Sequence, residues 1–137
     1  FSDKVDQTKP VPTGSLQAFD IKTGKRIWET NFNDTPFWAP LLTTGGNLVF
    51  AGGTADRKFR AMNASSGKIL WETSMPSGVT GVPSSYSVDG TQYIAVQAGW
   101  GVDAERMHAL MQKILPADRK LPTVPQGGSI WVFALKK

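Results

Sequence analysis

An all-β fold made of repeated hairpin units, a stretch of β-propeller, is predicted by three observations. A motif recurs: residues 14–30 read GSLQAFDIKTGKRIWET and residues 57–73 read RKFRAMNASSGKILWET. Ala18, Gly24, Lys25 and Trp28 align with Ala61, Gly67, Lys68 and Trp71 at a constant offset of 43. A third copy opens at Gly128 and Ser129, which match Gly14 and Ser15. Each full copy sets Asp or Asn, Ser or Thr, and then Gly between two alternating runs, and that is hairpin chemistry. A period of about 40–50 residues with short strands is the spacing of propeller blades.

The elements follow in order. Residues 1–13 carry two prolines among polar residues and read as a lead-in loop. Strands are predicted at 15–20 and 26–32, with a turn over 33–36. Residues 39–43 and 47–51 form a hairpin around Gly45-Gly46. Residues 59–63 and 69–73 form the next, and 82–88 with 92–97 another, across Asp89-Gly90. Trp131–Leu135 is the last strand. Trp28 and Trp71 then stand on outer strands, each with a ring suited to packing between neighbouring blades. One segment departs from the pattern. In Asp103–Leu115, Met107, Leu110, Met111 and Ile114 recur at helical spacing, so a helix is predicted with that apolar stripe packed inward. Asp103 is the predicted cap and Pro116 the stop. An insert over 103–125 between two strands is too long for a plain hairpin.

Composition agrees with this reading. The 137 residues include 14 Gly, 9 Pro and 5 Trp and are 40% hydrophobic, as a turn-rich β domain would be. The net charge of +4 is spread along the chain without a run of like charges, which argues against nucleic acid as a partner. No apolar run reaches the length of a transmembrane helix. No secretory leader is read, and the chain starts at Phe1 rather than Met, so its start reads as a processed or truncated end. With no Cys, it holds neither disulfides nor thiolate metal sites.

The strand count has a consequence. About two and a quarter four-stranded blades cannot close, whereas propellers protect their edges with roughly four to eight blades. The expectation is that residues 1–137 are the C-terminal part of one propeller domain, lying against blades from other sequence or a partner chain.

The residues also resemble a known family. The A-x-[DN]-x-x-[TS]-G-K-x-x-W stretches are similar to the tryptophan-docking motif of quinoprotein alcohol dehydrogenases, the methanol/ethanol dehydrogenase family that uses pyrroloquinoline quinone (PQQ). The order PFWAPLLTTGGNLVFAGG, SGVTGVPSSYSVDGTQYIAVQAGWG and QGGSIWVFAL resembles the same family over residues 14–137. The resemblance implies an eight-bladed propeller with PQQ and a Ca²⁺ or lanthanide ion in a central funnel. It implies oxidation of a small alcohol by hydride transfer to PQQ, an Asp base, a cytochrome c acceptor and a periplasmic location. By the same resemblance, the metal ligands, the base, the cofactor-clamping Arg or Lys and a vicinal disulfide all lie upstream. This chain thus carries no catalytic or metal-binding residue and is not active alone. It would supply one wall of the funnel.

Carried over residue by residue, the cofactor neighbours are Trp38, Ala39, Gly101 and Val102, with Asp103 on the substrate-pocket rim. Trp38 stands where the family has a Trp beside PQQ. Ala39-Pro40 replaces the usual Gly-Gly, which removes a backbone donor. The competing reading of Trp38 is a core aromatic at a strand start. Trp100 reads as packing. The competing reading of the whole chain is a non-enzymatic PQQ-repeat propeller of the outer-membrane-assembly lipoprotein type.

Other chemistry is weak. His108 is the only histidine and, without Cys, gives no protein-only zinc site. Gly45-Gly46 and Gly52-Gly53 lack the Lys and helix of a phosphate loop. The insert is expected to cap the funnel mouth, to meet an acidic cytochrome through its basic residues, or to decorate the propeller's side.

Overall fold

The computed structural model describes residues 12–33, 35–115 and 117–135. Three antiparallel sheets follow one another. The first pairs β1 (Pro12–Phe19) with β2 (Arg26–Asn33). The second holds β3 (Leu42–Thr44), β4 (Leu48–Ala51), β5 (Lys58–Asn63) and β6 (Ile69–Ser74) in chain order. The third holds β7 (Ser84–Val88), β8 (Thr91–Gly99) and β9 (Gly128–Ala134), with helix α1 (Val102–Ile114) between β8 and β9. This succession of two, four and three strands is the predicted partial propeller, its sheets open rather than closed into a ring. Of the predicted lead-in over 1–13, residues 1–11 lie outside the described residues, as does the stop at Pro116, while Pro12 and Thr13 belong to β1 rather than to a loop.

The repeat is visible in the backbone. Ala18 pairs with Trp28 and Ala61 with Trp71, the same register in both sheets. The Asp20 carboxylate accepts the amides of Lys22 and Thr23 at 2.8 and 2.9 Å. Asn63 does the same for Ser65 and Ser66, both at 3.0 Å. Gly24 and Gly67 then close the turns at φ of 67° and 70°, each donating to the carbonyl four residues back at 2.8 Å. A side chain at that φ is strained, which is why glycine recurs there.

Alternation along β4 and β5 makes the second sheet the middle layer. Val49, Ala51 and Met62 face the first sheet and pack with Leu16 and Phe32. Phe50, Phe59 and Ala61 face the third and pack with Ile94, Val96 and Ala98. Trp28 staples the first two sheets: its Nε1 donates to the Ala64 carbonyl at 2.9 Å, and its ring lies against Gly67. Trp71 packs edge-on against Phe133 at 5.2 Å, between the second and third sheets.

Several elements differ from the sequence expectation. β3 begins at Leu42, not 39; Pro40, within the expected run, has no amide to offer a ladder. β7 begins at Ser84, directly after Pro83, which has no amide to offer a ladder. β9 starts earlier than predicted, at Gly128. The N-cap of α1 is Gly101, without a side-chain cap; Asp103 sits in the first turn instead. Of the predicted stripe the helix buries only Met111, together with Ala104 and His108, while Met107, Leu110 and Ile114 stay exposed. The buried indole of Trp100 decides this. His108 packs edge-on against it at 6.1 Å, and Ala104, Ala55 and Val124 complete the cluster.

Candidate functional site

Consecutive antiparallel strands reverse direction, so the connections sort into two sets. The tight turns 20–25, 45–47, 64–68 and 89–90 gather at one end of the sheets. The connections 35–41, 52–57, 75–83 and the long one after β8 gather at the other. All five predicted site residues belong to this second end.

Backbone contacts weld these connections into one rim. The Ala55 amide donates to the Thr35 hydroxyl at 2.7 Å. Gly53 lies flat under Trp38 and Ala39, where a Cβ would come within 2.4 Å of the Ala39 nitrogen. A Cβ on Gly52 would come within 2.6 Å of the Val79 Cβ. Val79 in turn bridges to Gly99, whose amide donates to the Gly78 carbonyl at 2.6 Å. The Ser77 hydroxyl donates to the Pro125 carbonyl at 2.7 Å and ties down the far end of the insert.

The structure separates the predicted residues. Gly101 lines a cleft of about 390 Å³ together with Thr80, Gly81, Gln97, Gly99, Trp100 and Gly127. Trp38 and Ala39 lie outside that lining, on the same rim, with Trp38 37% exposed. Val102 and Asp103 open α1 and point away from burial; Asp103 pairs loosely with Arg106 at 3.7 Å. Trp100 is 3% exposed, and its six-membered ring covers Gly78 so closely that a Cβ there would be 1.9 Å from Cε3. It braces the wall of the cleft, as expected of a packing residue. The polar members of the lining, Thr80 and Gln97, were not singled out from the sequence. Their signal is only proximity to the glycines of GVTG and QAGWG.

A second cleft, of about 320 Å³, opens between the first two sheets beside Arg60, Asp56, Phe32 and Pro122. Arg60 is 4% exposed and lies 5.2 Å over the Phe32 ring. It pairs with Asp56, approaches Glu72 at 3.4 Å, and donates to the Thr54 hydroxyl at 2.9 Å, which itself bonds Asp56. Burial pushes the Asp56 carboxyl up. The Thr54 hydroxyl, the Lys58 amide and the Arg60 guanidinium outweigh this and hold it below the usual carboxylate range. The guanidinium charge is paired by Asp56 and Glu72, although its buried Nε has no hydrogen-bond partner, so the cluster is a structural clamp rather than an anion site. Among the described residues no group of three or more His, Cys, Asp or Glu is placed to hold a metal ion. No described helix is long and apolar enough to cross a membrane.

Residues 31–94 match the family model for the PQQ glucose/ethanol/alcohol dehydrogenase β-propeller domain. A quinoprotein ethanol dehydrogenase of Pseudomonas putida is 42% identical over 122 residues, which cover 89% of this chain and 18% of that enzyme. The crystal structure of a quinohemoprotein alcohol dehydrogenase from Comamonas testosteroni superposes with a TM-score of 0.68 at 32% identity, over 88% of this chain and 16% of that one. A europium-containing methanol dehydrogenase gives the same TM-score and identity, over 88% of this chain and 23% of that one. The chain thus spans less than a quarter of the length of each of these proteins. The shared sequence and the shared succession of sheets together place the chain in the family of PQQ-dependent quinoprotein alcohol dehydrogenases, as part of a β-propeller.

Proposed function

We propose that this chain forms one wall of the cofactor funnel in a PQQ-dependent alcohol dehydrogenase, as the C-terminal blades of its propeller. The observation that carries this reading is the rim. Trp38 and Ala39 come from one connection and Gly101 from another, and the backbone stack through Gly53, Gly52, Val79 and Gly99 holds them at one end of the sheets. The residues fit a flat heteroaromatic acid. The cleft beside Gly101 is bordered by glycine backbone, which lets a planar group approach closely, and Trp38 offers a partly exposed indole face and an N–H. PQQ, when bound, supplies the hydride acceptor.

This chain's part is to bind and orient. The glycine wall sets the width of the site, Trp100 keeps that wall in place, and Trp38 adds ring contact at the rim. Val102 and Asp103 open the helix beside the cleft and form the edge over which a small alcohol enters. The base and the ligands of the Ca²⁺ or lanthanide ion are supplied by sequence outside this chain, and a periplasmic cytochrome c takes the electrons.

The test uses the full-length protein that carries this sequence. Denaturing it should release PQQ, seen by absorbance and mass, with a metal ion found alongside. In the apoprotein, Trp38→Ala should weaken PQQ binding by about 1–3 kcal/mol, through lost ring contact and a lost N–H donor. Wild-type protein that neither releases nor takes up PQQ would overturn the reading in favour of a non-enzymatic propeller scaffold.

A further inference from the structure

Two polar side chains of the glycine-bordered cleft have no partner among the described residues, the Trp100 indole and Gln97. Thr80 is committed, its hydroxyl donating to the Gly99 carbonyl at 2.8 Å. Trp100 lines the cleft too, but its Nε1 is buried, so Gln97 is the exposed one of the two. Gln97 stands on β8 two residues before Gly99, so period-two alternation puts both on the same face of the third sheet. Its Cβ crowds the site of a Cβ on Gly81, at 2.8 Å, and its Nε2 is 4.0 Å from the corresponding position on Gly99. The carboxamide is exposed and makes no hydrogen bond among the described residues. A long polar head beside walls stripped to glycine is the arrangement of a ligand-reading group, since specificity in such clefts comes from a few placed polar atoms.

We propose that Gln97 contacts the ligand of this cleft, donating from Nε2 to a carboxylate of a planar, carboxylate-bearing molecule, the class to which PQQ belongs. The inference deepens the functional reading above and rests on it. Gln97 would thus discriminate the acid cofactor from uncharged quinones of similar outline.

The experiment is a titration of PQQ into the full-length apoprotein, followed by tryptophan fluorescence, with a thermal melt of each variant. Wild-type protein must first bind PQQ; if it does not, the functional reading fails, and that failure is separate from any result on Gln97. Given binding, Gln97→Ala should raise the dissociation constant roughly tenfold, the scale of one hydrogen bond to a charged group. Gln97→Glu keeps the shape and sets a carboxylate against a carboxylate, so it should weaken binding further at neutral pH. An unchanged dissociation constant in both variants overturns the proposal. So does a lowered melting temperature with wild-type affinity in Gln97→Glu, which would assign the carboxamide to contact with a neighbouring sheet.

Discussion

Replacing Trp28 should loosen the first sheet from the second, and the structure gives the size of the effect. The indole is half-buried. An aromatic side chain buries 150–250 Å² when enclosed, so about 100 Å² is taken from water here, worth about 2.5 kcal/mol. The Nε1 bond to the Ala64 carbonyl, 2.9 Å long, adds about 1 kcal/mol. Trp28→Ala should therefore cost about 3–4 kcal/mol. The sharper test is its coupling to Gly67. A Cβ on Gly67 would lie 2.5 Å from the Trp28 Cε3, and the residue sits at φ of 70°. Gly67→Ala alone should cost about 2–4 kcal/mol, from backbone strain and displacement of the ring. With Trp28 already Ala, only the strain of about 1 kcal/mol remains, so the pair should couple by about 1–3 kcal/mol. Urea denaturation of the full-length protein and its single and double variants measures this, with hydrogen exchange locating the loosened boundary. Strictly additive costs would refute the idea that the ring rests on the glycine.

Other perturbations follow from the same contacts. Gly78→Ala should drive the Trp100 ring from its seat, lowering the melting temperature and shifting tryptophan emission to the red; unaltered emission would contradict the contact. The Asp56 carboxyl is held below its ordinary 3.8, so its share of stability is full above that pH and drains away as pH falls through the folded-state value. Asp56→Asn should flatten that acid limb in pH-dependent unfolding, whereas an unchanged limb would acquit the clamp. Replacing the insert over 103–125 by a tight loop should change the preference among alcohols at constant PQQ content if it caps the funnel. A loss confined to cytochrome reduction at low salt would mark a docking role instead.

The hairpins, the succession of sheets and the place of Trp28 were legible in the sequence, because turn chemistry and a fixed period are local properties. Asp20 to Gly24 and Asn63 to Gly67 specify their turns from within five residues, and the offset of 43 repeats the result. The site was legible only as a set of positions borrowed from resemblance. That 35–41, 52–57, 75–83 and the insert meet on one rim follows from strand reversal. Which of their residues line the cleft does not, because lining depends on how the connections pack. Tertiary structure alone decided that Gly101 lines the cleft while Trp38 stands beside it, and that Gln97 reaches it unpaired. It also chose the face of α1. Periodicity offers a stripe of Met107, Leu110, Met111 and Ile114, but the helix turns toward whatever is waiting. Here that is the buried indole of Trp100, against which Ala104 and His108 pack, so that of the predicted stripe only Met111 is buried.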